Sequence, residues 1–228
     1  SDFDRIVVAD SPGWRSSSMS EYDNPPLQQI LVEHRAAGAD ENLSTQYASV
    51  MVPHTGDRSP VGAATLLEND PESGVMALRV ELSGRTDYIV STRDQEMRDY
   101  GPLTSAGEIA FVSVDPEGRV LSAYLLKGNS LQFGNTKIAL SRPSITLPVT
   151  STSGRTYHLD RPLPPDVDAE GAYLIADGAH PLTEDAPRPR TGFEIESTTA
   201  DSITVRDYPV VDCDEITVLN AASLQFAD

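Results

Sequence analysis

The stretch Gly107-Glu-Ile-Ala-Phe-Val-Ser-Val114, Asp115-Pro-Glu-Gly118, Arg119-Val-Leu-Ser-Ala-Tyr-Leu-Leu126, Lys127-Gly-Asn129, Ser130-Leu-Gln-Phe133 decides the fold class. Its first two runs are rich in aliphatic and aromatic residues. They flank a four-residue link with Pro at the second position and Gly at the fourth, the chemistry a type I turn prefers. A third run follows Lys127-Gly128-Asn129, which reads as another turn. The expectation is an antiparallel meander.

The same grammar extends in both directions. Period-2 alternation places strands at residues 5–9, 45–53, 63–67, 75–82, 86–91 and 137–141. Shorter ones follow Pro143, at 144–149, 156–160, 172–176, 192–197, 202–206, 215–219 and 223–226. Turn formers such as Asp70-Pro71-Glu72-Ser73-Gly74 and Ser83-Gly84-Arg85 separate them. Residues 27–37 after Pro25-Pro26 read as helix or strand, with Ile30-Leu31-Val32 favouring strand, and residues 93–100 could make a short helix. Around Ser141-Arg142-Pro143 the strands shorten and Pro density rises. The predicted fold is all-β: an antiparallel β-sandwich over residues 1–142, then a smaller β-domain over residues 143–228. Val112, Val114, Leu78, Val80, Val50 and Tyr124 are the expected core.

The 228 residues suffice for a sizeable core, and no apolar stretch approaches the ~20 residues of a membrane helix. The N-terminal residues lack a signal-peptide pattern, and the chain reads as a processed product or fragment. Cys213 is the only cysteine, which excludes a disulfide framework and a cysteine zinc site. Between two acidic neighbours, Asp212 and Asp214, its thiol reads as structural. The formal charge is −18, and of 17 basic residues only Lys127 and Lys137 are lysines. Without a basic cluster, nucleic acid is excluded as a partner. A salty habitat or a GC-rich genome would each give this acidic, lysine-poor composition.

Three segments resemble the heparinase II/III-like polysaccharide lyases: Thr45-Gln-Tyr-Ala-Ser-Val-Met-Val-Pro53 with its His-Thr-Gly turn, residues 75–91, and the 107–140 meander. The resemblance covers residues 1 to 140 well and the remainder loosely. It implies a β-sandwich that follows a helical toroid, with a small β-domain closing the chain. It also implies an extracellular or periplasmic protein whose substrate is a uronate-containing glycan. Enzymes of the family abstract the proton α to a uronate carboxylate and eliminate the 4-O-linked sugar. Their base and acid sit mainly on the toroid, and further His and metal ligands come from early sandwich strands. Neither the toroid nor those early strands can be read in this sequence. The resemblance therefore implies an upstream toroid of the same protein as partner, with any divalent metal held there. It assigns no catalytic residue and no cofactor to these positions.

Candidate contacts come from the residues themselves. The loop 10–26 holds Trp14, Arg15 and Tyr22; aromatic rings stack on sugar faces, and a guanidinium binds carboxylates as a fork. Trp14 would alternatively anchor the loop to the sandwich. His34 and Arg35 stand beside Glu33, as a substrate contact or as a solvated ion pair. His54, in Pro53-His54-Thr55-Gly56, could reach substrate from a loop tip. Asp166, Asp168, Glu170 and Gly171, with Asp177 further on, mimic half a calcium loop, but without flanking helices and after Pro164-Pro165 a plain acidic turn into the 172–176 strand is the favoured reading. No Gly-x-Ser-x-Gly elbow occurs. Two other function classes fit the same pattern: a free-standing carbohydrate-binding β-sandwich module, poorly supplied with one Trp, and a structural domain without ligand.

Overall fold

The computed structural model describes residues 5–11, 27–33, 46–167, 169–177, 191–206 and 212–226. All regular structure among them is strand, and every strand pairing is antiparallel. No helix among them is long and apolar enough to cross a membrane. The chain divides into two compact units, Ser1–Tyr47 and Ala48–Asp228.

In the first unit β1 (Arg5–Ser11) pairs with β2 (Leu27–Glu33), Arg5 opposite Glu33 and Ser11 opposite Leu27. The ambiguous run at residues 27–33 is thus a strand, as its β-branched residues favour.

The second unit holds an eight-stranded sheet and a six-stranded closed barrel. The sheet comprises β3 (Val61–Asp70), β4 (Val75–Leu82), β5 (Arg85–Ser91), β6 (Arg98–Tyr100), β7 (Leu103–Val114), β8 (Val120–Phe133), β9 (Thr136–Ala139) and β16 (Ala221–Gln225). Its main order is β16-β8-β7-β5-β4-β3, with β6 on β7 and β9 on β8. The β7–β8 link turns as its sequence requires: the Gly118 N–H donates to the Asp115 carbonyl at 3.0 Å, and Gly118 has φ 82°. The Asp115 carboxylate accepts the Arg119 N–H at 2.8 Å, which closes the hairpin.

Lys127-Gly128-Asn129 is not a turn. It lies inside β8, a single strand of 14 residues, where the register with β7 slips by one between Ala106 and Gly107. Lys127 takes φ 50° there, and its ammonium meets Glu108 Oε1 at 2.6 Å. A bulge twists and bends its strand, and the extra residue changes which side chains face inward. On β7, Leu103 and Ser105 are buried before the slip, and Ala110, Val112 and Val114 after it. The two ends of the bent sheet close on one hydrophobic cluster containing Tyr100, Leu103, Leu131 and Ile138 with Val75, Ala77, Val90, Ala110 and Leu125. Tyr88 on β5 and Phe133 at the end of β8 meet across it, ring centroids 5.2 Å apart. The sandwich character thus arises from one hydrogen-bonded sheet folded over its own core.

Val112, Val114 and Val80 are buried, while Leu78 and Tyr124 are half-buried. Val50 departs from expectation: it is 36% exposed, and its neighbour Met51 is 86% exposed. The described part of 45–53, residues 46–53, forms no strand. Its alternation is suitable, but no strand among the described residues supplies the ladder that would hold it. The 93–100 segment likewise ends in the short strand β6 rather than a helix.

The barrel order is β10-β11-β14-β13-β12-β15. These strands are β10 (Ser144–Ser153), β11 (Thr156–Leu159), β12 (Tyr173–Asp177), β13 (Thr191–Thr198), β14 (Ser202–Val205) and β15 (Glu215–Leu219). Alternate residues such as Leu147, Tyr157, Leu174, Ile195, Ile203, Ile216 and Val218 are wholly buried inside it. Cys213 packs in this core and forms no disulfide. The final strand β16 leaves the barrel and rejoins the sheet, Ala221 opposite Leu126. Residues 221–225 therefore belong to the sheet, although the sequence reading grouped them with the smaller β-domain; Ala222 and Leu224 supply the apolar contacts that hold them there.

Candidate functional site

Residues 48–60 approach the β4–β5 turn without joining the sheet. Two hydrogen bonds fix their end: Ser83 N–H to the Pro60 carbonyl and Val61 N–H to Ser59 Oγ, both 3.1 Å. Gly84 takes φ 84° and lets β4 reverse tightly into β5, so that Arg85 stands directly after the reversal. Between this turn and the loop opens a cleft of about 700 Å³. Val52, Pro53, Pro60 and Leu82 supply apolar wall, Arg58 and Arg85 supply the charges, and His54, Thr55 and Ser83 supply further polar groups.

Among the described residues no carboxylate lines this cleft. Arg85 Nε lies 3.3 Å from Asp87 Oδ1, and the buried Asp87 carboxylate also accepts Ser113 Oγ–H at 2.7 Å. Among the described residues nothing pairs with Arg58. In a chain of charge −18 this is a local cationic concavity, and low-dielectric walls concentrate its field on an incoming anion. A guanidinium fork matches a carboxylate or sulfate bidentately, and apolar wall beside it suits the C–H face of a ring. Among the described residues lining the cleft there is no hydrogen-bonded nucleophile–base pair.

The other expected site residues fall differently. Trp14, Arg15, Tyr22, His34, Arg35 and Asp168 lie outside the described residues, as does the side chain of Asp177. His54 is exposed and lines the cleft as a loop-tip residue should. Asp166 is engaged by Ser141 Oγ–H at 2.5 Å and by Arg142 Nη2 at 2.9 Å. The Ser141 hydroxyl, and after it the Arg142 guanidinium, hold its carboxyl below the usual carboxylate range. A guanidinium already neutralising Asp166 opposes a calcium ion there, and no cluster of three metal-ligating side chains exists among the described residues. On the barrel surface Ser153 Oγ and His158 Nε2 lie 2.9 Å apart. Among the described residues no orienting carboxylate meets His158, and the pair is a hydrogen bond between β10 and β11.

Arg58 and Arg85 were not singled out by the sequence reading. They are 27 positions apart (85 − 58), and only the β3–β4–β5 register brings them to one wall. The available signal was their sign: two arginines beside turn residues in a strongly acidic chain. No protein-family model matches the sequence, and no curated protein matches it.

Proposed function

We propose that this chain is the β-rich rear portion of a heparinase II/III-like polysaccharide lyase, and that it contacts a uronate-containing glycan instead of breaking it. The observation that supports this reading is the cleft of His54, Arg58 and Arg85, cationic and, among the described residues, free of lining carboxylates in a chain of charge −18. A polyuronate is repelled by such a protein on average, so its affinity must arise at a local basic spot. The two guanidinium groups take the uronate carboxylate, His54 supplies a further hydrogen bond, and Pro53 and Leu82 border the ring. In this reading the helical toroid of the same protein, in an extracellular or periplasmic setting, removes the C5 proton. The electron pair forms the C4–C5 double bond as the 4-O-linked sugar leaves.

Calorimetric titration of the full chain with oligogalacturonate, oligoalginate and heparin-derived oligosaccharides tests the reading. One of these classes is expected to bind, and Arg58→Ala is expected to weaken it about tenfold, the loss of ~1.4 kcal/mol. The isolated chain should release no unsaturated uronate, followed by its ultraviolet absorbance. Absence of binding to all three classes, or affinity unchanged in both Arg58→Ala and Arg85→Ala, overturns the assignment of the cleft. Robust turnover by the isolated chain overturns its supporting role.

A further inference from the structure

A second recess, of about 300 Å³, lies where the sheet meets the barrel. Tyr124 of β8 and Ser223 of β16, paired in register, form part of its wall. Asp166 and Glu170, from the segment between β11 and β12, supply carboxylates, and Asn220, between β15 and β16, lines the same space. Asn220 is 1% exposed. Its Nδ2–H donates to the Arg142 carbonyl at 2.8 Å, which orients the amide, while Oδ1 is buried and meets no donor. Glu170 is exposed and accepts no hydrogen bond among the described residues. Tyr173, at the start of β12 and half-exposed, stands close enough to act on Tyr124; burial first, then this neighbour, push the Tyr124 phenol up.

These groups have the chemistry of hydroxyl recognition. A sugar hydroxyl donates and accepts at once, so it can give its proton to Glu170 and take one from a phenol. Tyrosine rings offer an apolar face beside a polar tip. The recess lies at the small end of the ~300–1,000 Å³ range of small-ligand sites, room for one ring and not for a long segment. Its charge argues against an anion, because no described residue pairs with Glu170, and Arg142 on Asp166 argues against a metal ion. We infer that the recess between β8, β16 and the β11–β12 segment binds a neutral pyranose ring through Tyr124 and Glu170, with Asn220 as part of its fixed wall. This goes beyond the cationic cleft: the site takes an uncharged unit and uses none of the same residues.

Saturation-transfer NMR on the full chain with glucose, galactose and mannose tests the proposal. At least one sugar is expected to receive saturation, with a dissociation constant of about 1 mM, and Glu170→Ala and Tyr124→Phe should each reduce the signal at least threefold. The exposed Glu170 can be truncated without disturbing the core, so its variant stays informative if Tyr124→Phe misfolds. Arg58→Ala should leave the signal intact; neutral-sugar binding that survives failure of the uronate titrations would separate the two sites. No transfer to any of the three sugars overturns the proposal, as does transfer undiminished in Glu170→Ala. Calcium chloride alone perturbing the Glu170 resonance without sugar binding would replace it with a cation site.

Discussion

Gly107 and Gly128 lie directly opposite one another in the β7–β8 register, a Cβ on Gly107 meeting the Leu125 side chain and one on Gly128 meeting backbone. A Cβ on Gly128 would overlap the Ala106 carbonyl oxygen and the Gly107 Cα, both of them backbone atoms that no rotamer change can move. The close approach of β7 and β8 at the bend therefore depends on Gly128 having no side chain.

Gly128→Ala should destabilise the fold by about 3 kcal/mol or more, the upper range for forcing atoms into a packed interior. Gly62→Ala is the control. Its nearest atom would stand at 3.6 Å and it has no positive φ, so it should be neutral or stabilise by about 0.4–1 kcal/mol. Urea unfolding midpoints of the two variants measure the difference; equal midpoints would show that the sheet does not need the close approach.

Asp87 is 6% exposed and takes its buried hydrogen bond from Ser113. Removing that donor leaves a carboxylate inside the protein with only the half-exposed Arg85 to answer it. Ser113→Ala should cost about 1–3 kcal/mol or slightly more, the penalty for an unmet buried group. Arg85→Ala, a surface partner, should cost no more than about 1 kcal/mol. A larger loss from Arg85→Ala than from Ser113→Ala would reverse this assignment.

Four aspartates have carboxyls held below the ordinary range. Ser73 and the Glu72 N–H act on Asp70, Arg98 on Asp94, and Ser141 on Asp166. Burial works to raise Asp115, but the Arg119 backbone and guanidinium together outweigh it. A depressed carboxyl contributes stability that is complete above the unfolded value near ~3.9 and is lost as pH falls toward the folded value. The melting temperature should therefore drop steeply below about pH 4, and Asp94→Asn should flatten that limb. Superimposable acid profiles for the two proteins would exclude the Arg98 pair as a contributor.

A chain of charge −18 repels itself when compact. Raising sodium chloride from about 0.01 to 1 M shortens the screening length from about 30 to 3 Å and should raise the melting temperature at pH 7. A fall would mean that local pairs such as Arg98–Asp94, at 2.5 Å, outweigh the net repulsion.

The sequence was legible where local chemistry and tertiary demand agree. Asp115-Pro116-Glu117-Gly118 turns because Pro and Gly occupy the positions the turn needs, and the alternation of β4 and β5 places Val80 and Val90 inside. Lys127-Gly128-Asn129 was misread because Gly serves a turn and a bulge alike, and only the opposing Gly107 distinguishes them. Val50 was misread because alternation specifies a strand but cannot say whether a neighbour exists to pair with it. The barrel's closure, β15 between β10 and β12, leaves no trace in any local window. His54 was visible as a loop-tip residue; its convergence with Arg58 and Arg85 depends on three strands in register.

The chain enters the barrel at Ser144 and leaves it at Leu219, and these two residues are paired neighbours. The Asn220 N–H donates to the Pro143 carbonyl at 3.0 Å, so entrance and exit are clasped together. On a ribosome, β8 emerges long before β16, and the whole barrel must be translated between them. Until then the β8 edge that will receive Ala221–Gln225 stays open, an unpaired strand edge of the kind that invites wrong partners. The barrel is complete only at Leu219, and its closure delivers the next residues straight to that edge. The sheet is begun first and finished last.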